Sequence, residues 1–305
     1  MSGALLVDNK LHHEYWRKRS GTTSVSYVAA TVDGYAPPPE GFSFTNALDD
    51  NAGTSFKVSN FNDQVDVTLT FPTGISLNGF AVYGHNLTRN QGLKITYSTD
   101  GTNFFEFEGT PYTENTYKPV DNFYKPFGAV FSSVISSIVK LRFETISWSP
   151  DSYISILSAG VWVTSGVEIS APFIPPTFTT QEYSIKRNNK GNHLISDVRR
   201  VPTKLSINLQ KFSEDELYAT SDSAQLTTIN GLTATYPFIE YMGYFLSRHP
   251  FFFMYTKGYS TDSAAQQIID QQKIYFCTTD KGLKPPSYSS PTLLDWKINA
   301  LGYIE

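Results

Sequence analysis

Eight residues, Gln64–Phe71, alternate without a break between polar and apolar. Val65, Val67, Leu69 and Phe71 fall on one side; Gln64, Asp66, Thr68 and Thr70 fall on the other. Successive side chains of a strand point to opposite faces, so this is the pattern of a half-buried β-strand, not of a helix with its period near 3.6. The same signal recurs downstream. Gly79–Tyr83 is an apolar run entered through Asn78-Gly79, a turn-favouring dipeptide. Leu93, Ile95 and Tyr97 alternate with Lys94 and Thr96; Asp100-Gly101 offers the positive φ of a hairpin, and Phe104–Phe107 returns. Ile138–Phe143 and Ile154–Val163 complete a block of short strands, which argues for a sandwich and against a βαβ fold.

A boundary falls after this block. Ser165-Gly166 follows its last strand, and Pro172, Pro175 and Pro176 give the next segment the character of an extended linker. The expected division is an N-terminal arm (1–39), a β-sandwich (40–166), a Pro-rich linker (167–180) and a second domain (181–305). In the last, Lys204–Gln210 alternates as a strand. Ser213 and Glu216 form a capping-box pattern, framed by Phe212 and Leu217 as a hydrophobic staple, which predicts a helix start. A second helix is expected from Pro237, with Phe238, Tyr241, Met242 and Phe245 on one face, and must stop by His249 because Pro250 follows. Phe251–Tyr255, Lys273–Thr278 and Leu294–Ile298 read as strands. The fold class is therefore mainly β: an N-terminal sandwich plus a C-terminal antiparallel β domain with one or two helices.

Composition narrows the function classes. Charged residues are 17% and aromatics 15%, against about 25% charged in ordinary soluble domains. A disordered chain needs the opposite balance. The net charge of −4 gives no support for nucleic-acid binding. The single cysteine, Cys277, cannot form an internal disulfide. The longest mostly apolar run, Phe127–Val139, is interrupted by serines and is shorter than the ~18 residues of a membrane-spanning helix. No signal peptide is read at the start, so the chain is expected to be made in a cytoplasm, soluble and without membrane insertion. Few charges with many aromatic rings also suit a surface given to permanent contacts.

The first block resembles discoidin-type, galactose-binding-like domains. Asn46-Ala47-Leu48-Asp49-Asp50-Asn51 followed by Thr54-Ser55-Phe56 resembles that family's "aLDGn…TsW" segment, with Phe56 where the family usually has Trp. Val65–Phe71, Val82–Leu87 (VYGHNL), Ile95–Phe104 (ITYSTDGTNF), Val139–Phe143 (VKLRF) and Ile154–Trp162 (ISILSAGVW) follow in the family's order. The resemblance implies a jelly-roll β-sandwich that binds sugar or serves as a rigid spacer. The second block, with FSEDEL, PFFFMY and a terminal W-x-I-x-A-x-GYIE, resembles bacteriophage tail-tip and baseplate proteins. That resemblance implies a structural virion protein of distal-tail or adaptor type, assembled in the host cytoplasm. Its partners would be copies of itself in a ring, other tail proteins, and a host-surface polysaccharide.

Candidate sites follow from residue chemistry. Asp49, Asp50, Asn51 and Thr54 supply hard oxygens in one short loop, which suits a structural Ca²⁺ as in many discoidin-like domains; the same side chains also serve Asx turns. His85, Asn86, Arg89 and Asn90 follow a strand and offer a sugar both donors and acceptors, or else bond their own loop. Tyr112, Tyr117 and Tyr124 could stack on a sugar or cover the core. Lys186, Arg187, Arg199 and Arg200 cluster after the linker and suit a subunit contact; Arg17-Lys18-Arg19 reads as a solvated arm. Glu106 and Glu108 share a strand face, yet a solvated sheet face explains them better than a glycosidase pair. No nucleophile–base constellation, G-x-S-x-G or phosphate-binding glycine pattern is present. The expectation is a non-enzymatic protein without a catalytic residue. A carbohydrate-binding module or adhesin with no ring role is the alternative to the virion reading, and a glycoside hydrolase ranks last.

Overall fold

The computed structural model describes residues 4–9, 11, 26–31, 39–57, 65–87, 92–106, 116–117, 126–144, 152–163, 167–169, 181–187, 193–200, 202–213, 227–229, 232–234, 246–247, 249–254 and 274–303. The strands are β1 (Ala4–Asn9), β2 (Ser26–Thr31), β3 (Phe56–Lys57), β4 (Val65–His85), β5 (Gly92–Ser98), β6 (Phe105–Glu106), β7 (Thr116–Tyr117), β8 (Phe127–Glu144), β9 (Tyr153–Val163) and β10 (Val167–Ile169). They continue as β11 (Gln181–Arg187), β12 (His193–Arg200), β13 (Thr203–Ser213), β14 (Thr227–Ile229), β15 (Leu232–Ala234), β16 (Phe251–Met254), β17 (Ile274–Thr279), β18 (Ser287–Ser290) and β19 (Leu293–Tyr303). Every described pairing is antiparallel. The protein is mainly β, as its period-two segments require.

The sandwich is made by two long strands that turn a corner together. The first half of β4 pairs with β2 and with the second half of β8. Register then shifts between Thr70 and Ile75, and the second half of β4 pairs with the first half of β8 and with β9. Irregular register is the usual way a strand passes from one layer to the other. In one layer Val67 and Leu69 stand opposite Leu141 and Val139, which in turn oppose Ile95 and Tyr97 of β5. Val67, Leu69, Ile95 and Val139 pack with Phe80, Val82, Leu157 and Ala159 of the other layer in one core.

The second half of β4 is covered on both faces. Phe80 and Val82 enter the sandwich core. Ala81 and Tyr83 join a second cluster with Leu6, Val130, Ile156, Trp162, Phe252, Met254, Ile274 and Phe276. Tyr83 stacks on Phe276, with centroids 4.2 Å apart. A strand buried on both sides reads as a continuous apolar run, which is why Gly79–Tyr83 lacks alternation.

Three expectations about organisation need correction. Within the first 39 residues, expected as an arm, Ala4–Asn9 forms a strand between β9 and β16, and Ser26–Thr31 pairs with β4. Ala4, Leu5 and Leu6 are wholly buried; three apolar residues suffice for a strand that is covered on both faces. Within the expected linker, Val167–Ile169 pairs with β13, and residues 170–180 lie outside the described set. The two blocks also share one 15-stranded sheet, in which β1 joins β9 of the first to β16 of the second. Ser213 ends β13; the helix expected after it lies outside the described residues. Leu246 and Ser247 are helical, and residues 237–245 are outside the described set. The apolar run Phe127–Val139 lies in β8. Among the described residues no helix is long and apolar enough to cross a membrane.

Candidate functional site

The loop from residue 40 to 57 is closed by its own polar groups. Asn46 Nδ2 donates to the carbonyls of Gly41 (2.8 Å) and Ser55 (3.0 Å), drawing the two ends together. Asp49 Oδ1 accepts from the Asn51 N–H, and Asn51 Oδ1 accepts from the Gly53 N–H, both at 2.9 Å. These are the Asx turns that such a sequence favours. Beneath the loop, Phe56 is buried and meets Phe44 edge-on at 5.2 Å. Phe44 thus adds a second ring beside the Phe that stands where the resemblance expects Trp.

Oxygen atoms converge on Thr54. Its Oγ1 lies 3.3 Å from the Asn46 carbonyl, 3.0 and 2.8 Å from the Asp49 carboxylate oxygens, and 2.9 Å from the Asn51 carbonyl. A hydroxyl carries one proton, so it cannot donate to all three groups. One carboxylate, two peptide carbonyls and one hydroxyl are oxygens of the hard kind that Ca²⁺ takes, gathered here at hydrogen-bond distances from Thr54 Oγ1. Two of the four expected ligands change role. Asn51 contributes its carbonyl, since its side chain serves the turn. Asp50, in a left-handed conformation at φ 57°, directs Oδ2 to within 3.9 Å of His249 Nδ1 in the second block. Among the described residues no group of three His, Cys, Asp or Glu side chains could hold a metal.

The expected sugar-binding loop is corrected at its first two positions. His85 is fully buried: its Nδ1 accepts from the Leu87 N–H at 3.1 Å and its ring meets Phe127 edge-on. Asn86 Oδ1 accepts from the Tyr153 N–H at 2.7 Å, extending the β4–β9 pairing past the end of β4. Both side chains therefore serve the fold. Arg89, Asn90, Tyr112 and Tyr124 lie outside the described residues; Tyr117 lies in β7 opposite Leu93. Glu106 is in β6 opposite Thr96, and Glu108 lies outside the described set. The basic residues after the linker separate along a hairpin: Lys186 and Arg187 oppose Leu194 and His193, whereas Arg199 and Arg200 oppose Glu182 and Gln181 at the other end. At about 3.4 Å per residue the two pairs stand roughly 17 Å apart along the strands. Burial pushes the Cys277 thiol up, which leaves it a poor nucleophile at neutral pH.

The hairpin of β5 and β6 presents aromatic rings on a braced turn. Gly101 takes φ 75°, as an Asp-Gly turn requires. Asp100 Oδ1 accepts from the Thr102 and Asn103 N–H groups at 2.8 Å, and Ser98 Oγ accepts from the Gly101 N–H at 2.9 Å. The Asn103 N–H bond first, and then that of Thr102, hold the Asp100 carboxyl well below the usual carboxylate range. Phe104 lies under the Lys140 ammonium, 3.7 Å from the ring centroid. Phe105, opposite Tyr97, is 52% exposed. Adjacent strand residues face opposite ways, so Phe104 meets Lys140 on one face while Phe105 shares the other with Tyr97.

No protein-family model matches the chain, and no curated protein matches it. Solved structures do resemble it. CpGH89CBM32-5 from Clostridium perfringens, solved with GalNAc-β-1,3-galactose, is 17% identical at a TM-score of 0.34, covering 45% of this chain and 95% of that one. Chitosan-binding module 2 of a Paenibacillus chitosanase/glucanase, solved with chitotriose, is 11% identical at a TM-score of 0.33, covering 45% and 95%. A protein assigned as an α-L-fucosidase from Bacteroides thetaiotaomicron is 18% identical at a TM-score of 0.34, over 51% of this chain; the match spans 29% of its length.

Proposed function

We propose that residues 40–166 form a non-enzymatic carbohydrate-binding module, held rigidly by the second β block. The observation that carries this reading is the behaviour of the six discoidin-like motifs. The 46–54 loop folds into a closed oxygen cluster over Phe44 and Phe56, and the five strand motifs fall on β4, β5, β8 and β9 of one sandwich core. Asn46, Asp49, Asn51 and Thr54 would hold a Ca²⁺, whose charge would stiffen the loop without taking part in chemistry. The reading is tested by titrating the full chain with a glycan panel that includes galactosides, GalNAc-β-1,3-galactose, chitotriose and pectin fragments. Millimolar or tighter binding to one class, without turnover, is expected; silence across the panel refutes it.

A finer reading places this module on a phage tail tip or baseplate as a ring or adaptor subunit that meets host-surface glycan. It is supported by the resemblance of the second block to tail proteins and by the single sheet through β1, which makes module and base one body. A flexibly tethered binder has no need of that continuity. Mass spectrometry of purified virions, with the oligomeric state of the chain beside its tail partners, tests it. Absence from virions together with a persistent monomer removes it.

A further inference from the structure

We infer that the glycan-stacking surface of this module is the Tyr97–Phe105 pair on the β5–β6 hairpin, not the His85–Asn86 pair at the end of β4. The inference rests on the carbohydrate reading above and names its site. Among the described residues only Phe105 and Tyr288 are large hydrophobic side chains left exposed. Phe105 is the one within the sandwich block. Its ring lies 5.9 Å from that of Tyr97, at 40° between planes, so the two make one broken aromatic surface. Tyr97 packs against the sandwich core and cannot swing away.

The turn beneath is fixed as well. Ser98, Asp100 and Asn103 lock the hairpin by six hydrogen bonds, and Lys140 clamps Phe104 from the opposite face. A ring held in place before binding loses little conformational freedom on contact, which is how aromatic anchors gain affinity.

The size and setting of the surface decide its occupant. A stable protein partner buries about 800 Å² per side around an apolar centre. Here two rings stand on a hairpin whose turn carries the exposed polar residues Asp100, Thr102 and Asn103. A ligand with one C–H face and hydroxyls around its rim matches that arrangement, and a pyranose ring has that form. His85 and Asn86, the alternative anchors, are committed to the fold by their bonds to Leu87 and Tyr153.

The experiment is isothermal titration of the full chain and three variants against the same glycan panel. Phe105→Ala is expected to weaken the best ligand at least tenfold. Phe105→Trp should keep or improve affinity, and Tyr288→Ala, in the second block, should leave it unchanged. Thermal melts of all variants should coincide with wild type, because Phe105 is half outside the core. If wild type binds a glycan and Phe105→Ala binds it equally well, this site is wrong while the carbohydrate reading stands. If wild type binds no glycan, the carbohydrate reading fails and takes this site with it.

Discussion

Replacing Asn78 by Ala should remove a piece of the sheet that is not backbone. Asn78 sits where the β4–β8 register slips, between Leu77 and Gly79. Its Nδ2 donates to the Trp162 carbonyl at 2.8 Å, and its Oδ1 accepts from the Trp162 N–H at 2.6 Å. The side-chain amide thus stands in for a paired strand residue, beyond the last β4–β9 partners, Gly79 and Gly160. Asn78 and Trp162 are both buried. In Asn78→Ala a buried N–H and a buried C=O lose their partners at about 1–3 kcal/mol each. The expected loss is roughly 2–4 kcal/mol, since the smaller side chain forgoes the cost of burying an amide. For a chain of this size that is about a 3–6 °C fall in melting temperature. Urea unfolding followed by circular dichroism measures it.

Asn78→Asp sharpens the test. At neutral pH a carboxylate faces the Trp162 carbonyl with no donor, so the variant should be at least as unstable as Asn78→Ala. Its folded pKa would be raised above the unfolded value of about 3.9. A raised folded pKa means that stability is present below the unfolded pKa and lost as pH rises through the folded one. Relative to wild type, Asn78→Asp should therefore recover as pH falls towards 4. A loss below about 0.5 kcal/mol in Asn78→Ala would refute the surrogate-strand reasoning.

Four further outcomes are expected. Gly128→Ala should destabilise more than Gly79→Ala: its added Cβ would lie 2.2 Å from the Phe80 carbonyl oxygen and 2.8 Å from Ala81 Cα, both in a fixed strand, whereas at Gly79 half of the conflict is with the Trp162 indole; overpacking typically costs about 1–3 kcal/mol, and paired melts rank the two. Residues 40–166 expressed alone should bind a hydrophobic dye and aggregate, because Ala81, Tyr83, Val130, Ile156 and Trp162 lose their cover from β1, β16 and β17; a monomer melting with the full chain's midpoint would contradict the shared core. Calcium at millimolar concentration should raise the melting temperature of wild type and not of Asp49→Ala, with chelator reversing the shift; equal melts with and without calcium would remove the ion from the 46–54 loop. Asp100 has a depressed folded pKa, so its contribution is present above about pH 3.9 and lost as pH falls through the lower folded value; Asp100→Asn should flatten the acid limb of the stability profile below pH 4, and an unchanged limb would count against the hairpin bonds.

Local chemistry was legible in the residues themselves. Strict alternation placed the first part of β4, and β5 and β13 followed from the same period. Asp100-Gly101 gave the hairpin, and the Asx-rich loop gave its own turns, because each depends on neighbours within a few positions. The partners of those elements were not legible. Ala4–Asn9 looks like a fragment of an arm until it is set between β9 and β16, more than 140 residues away. His85 and Asn86 look like exposed loop residues until Phe127 and Tyr153 arrive beside them. Thr54 looks like one oxygen among four side chains, whereas folding sets two backbone carbonyls beside it and turns Asp50 towards His249. The sequence by itself determined the strands that alternate strictly and the turns marked by their own Asx and Gly residues. Which strands pair, which faces are covered and which aromatic ring is left in solvent were decided only by long-range closure, because burial depends on what the distant chain brings to each face.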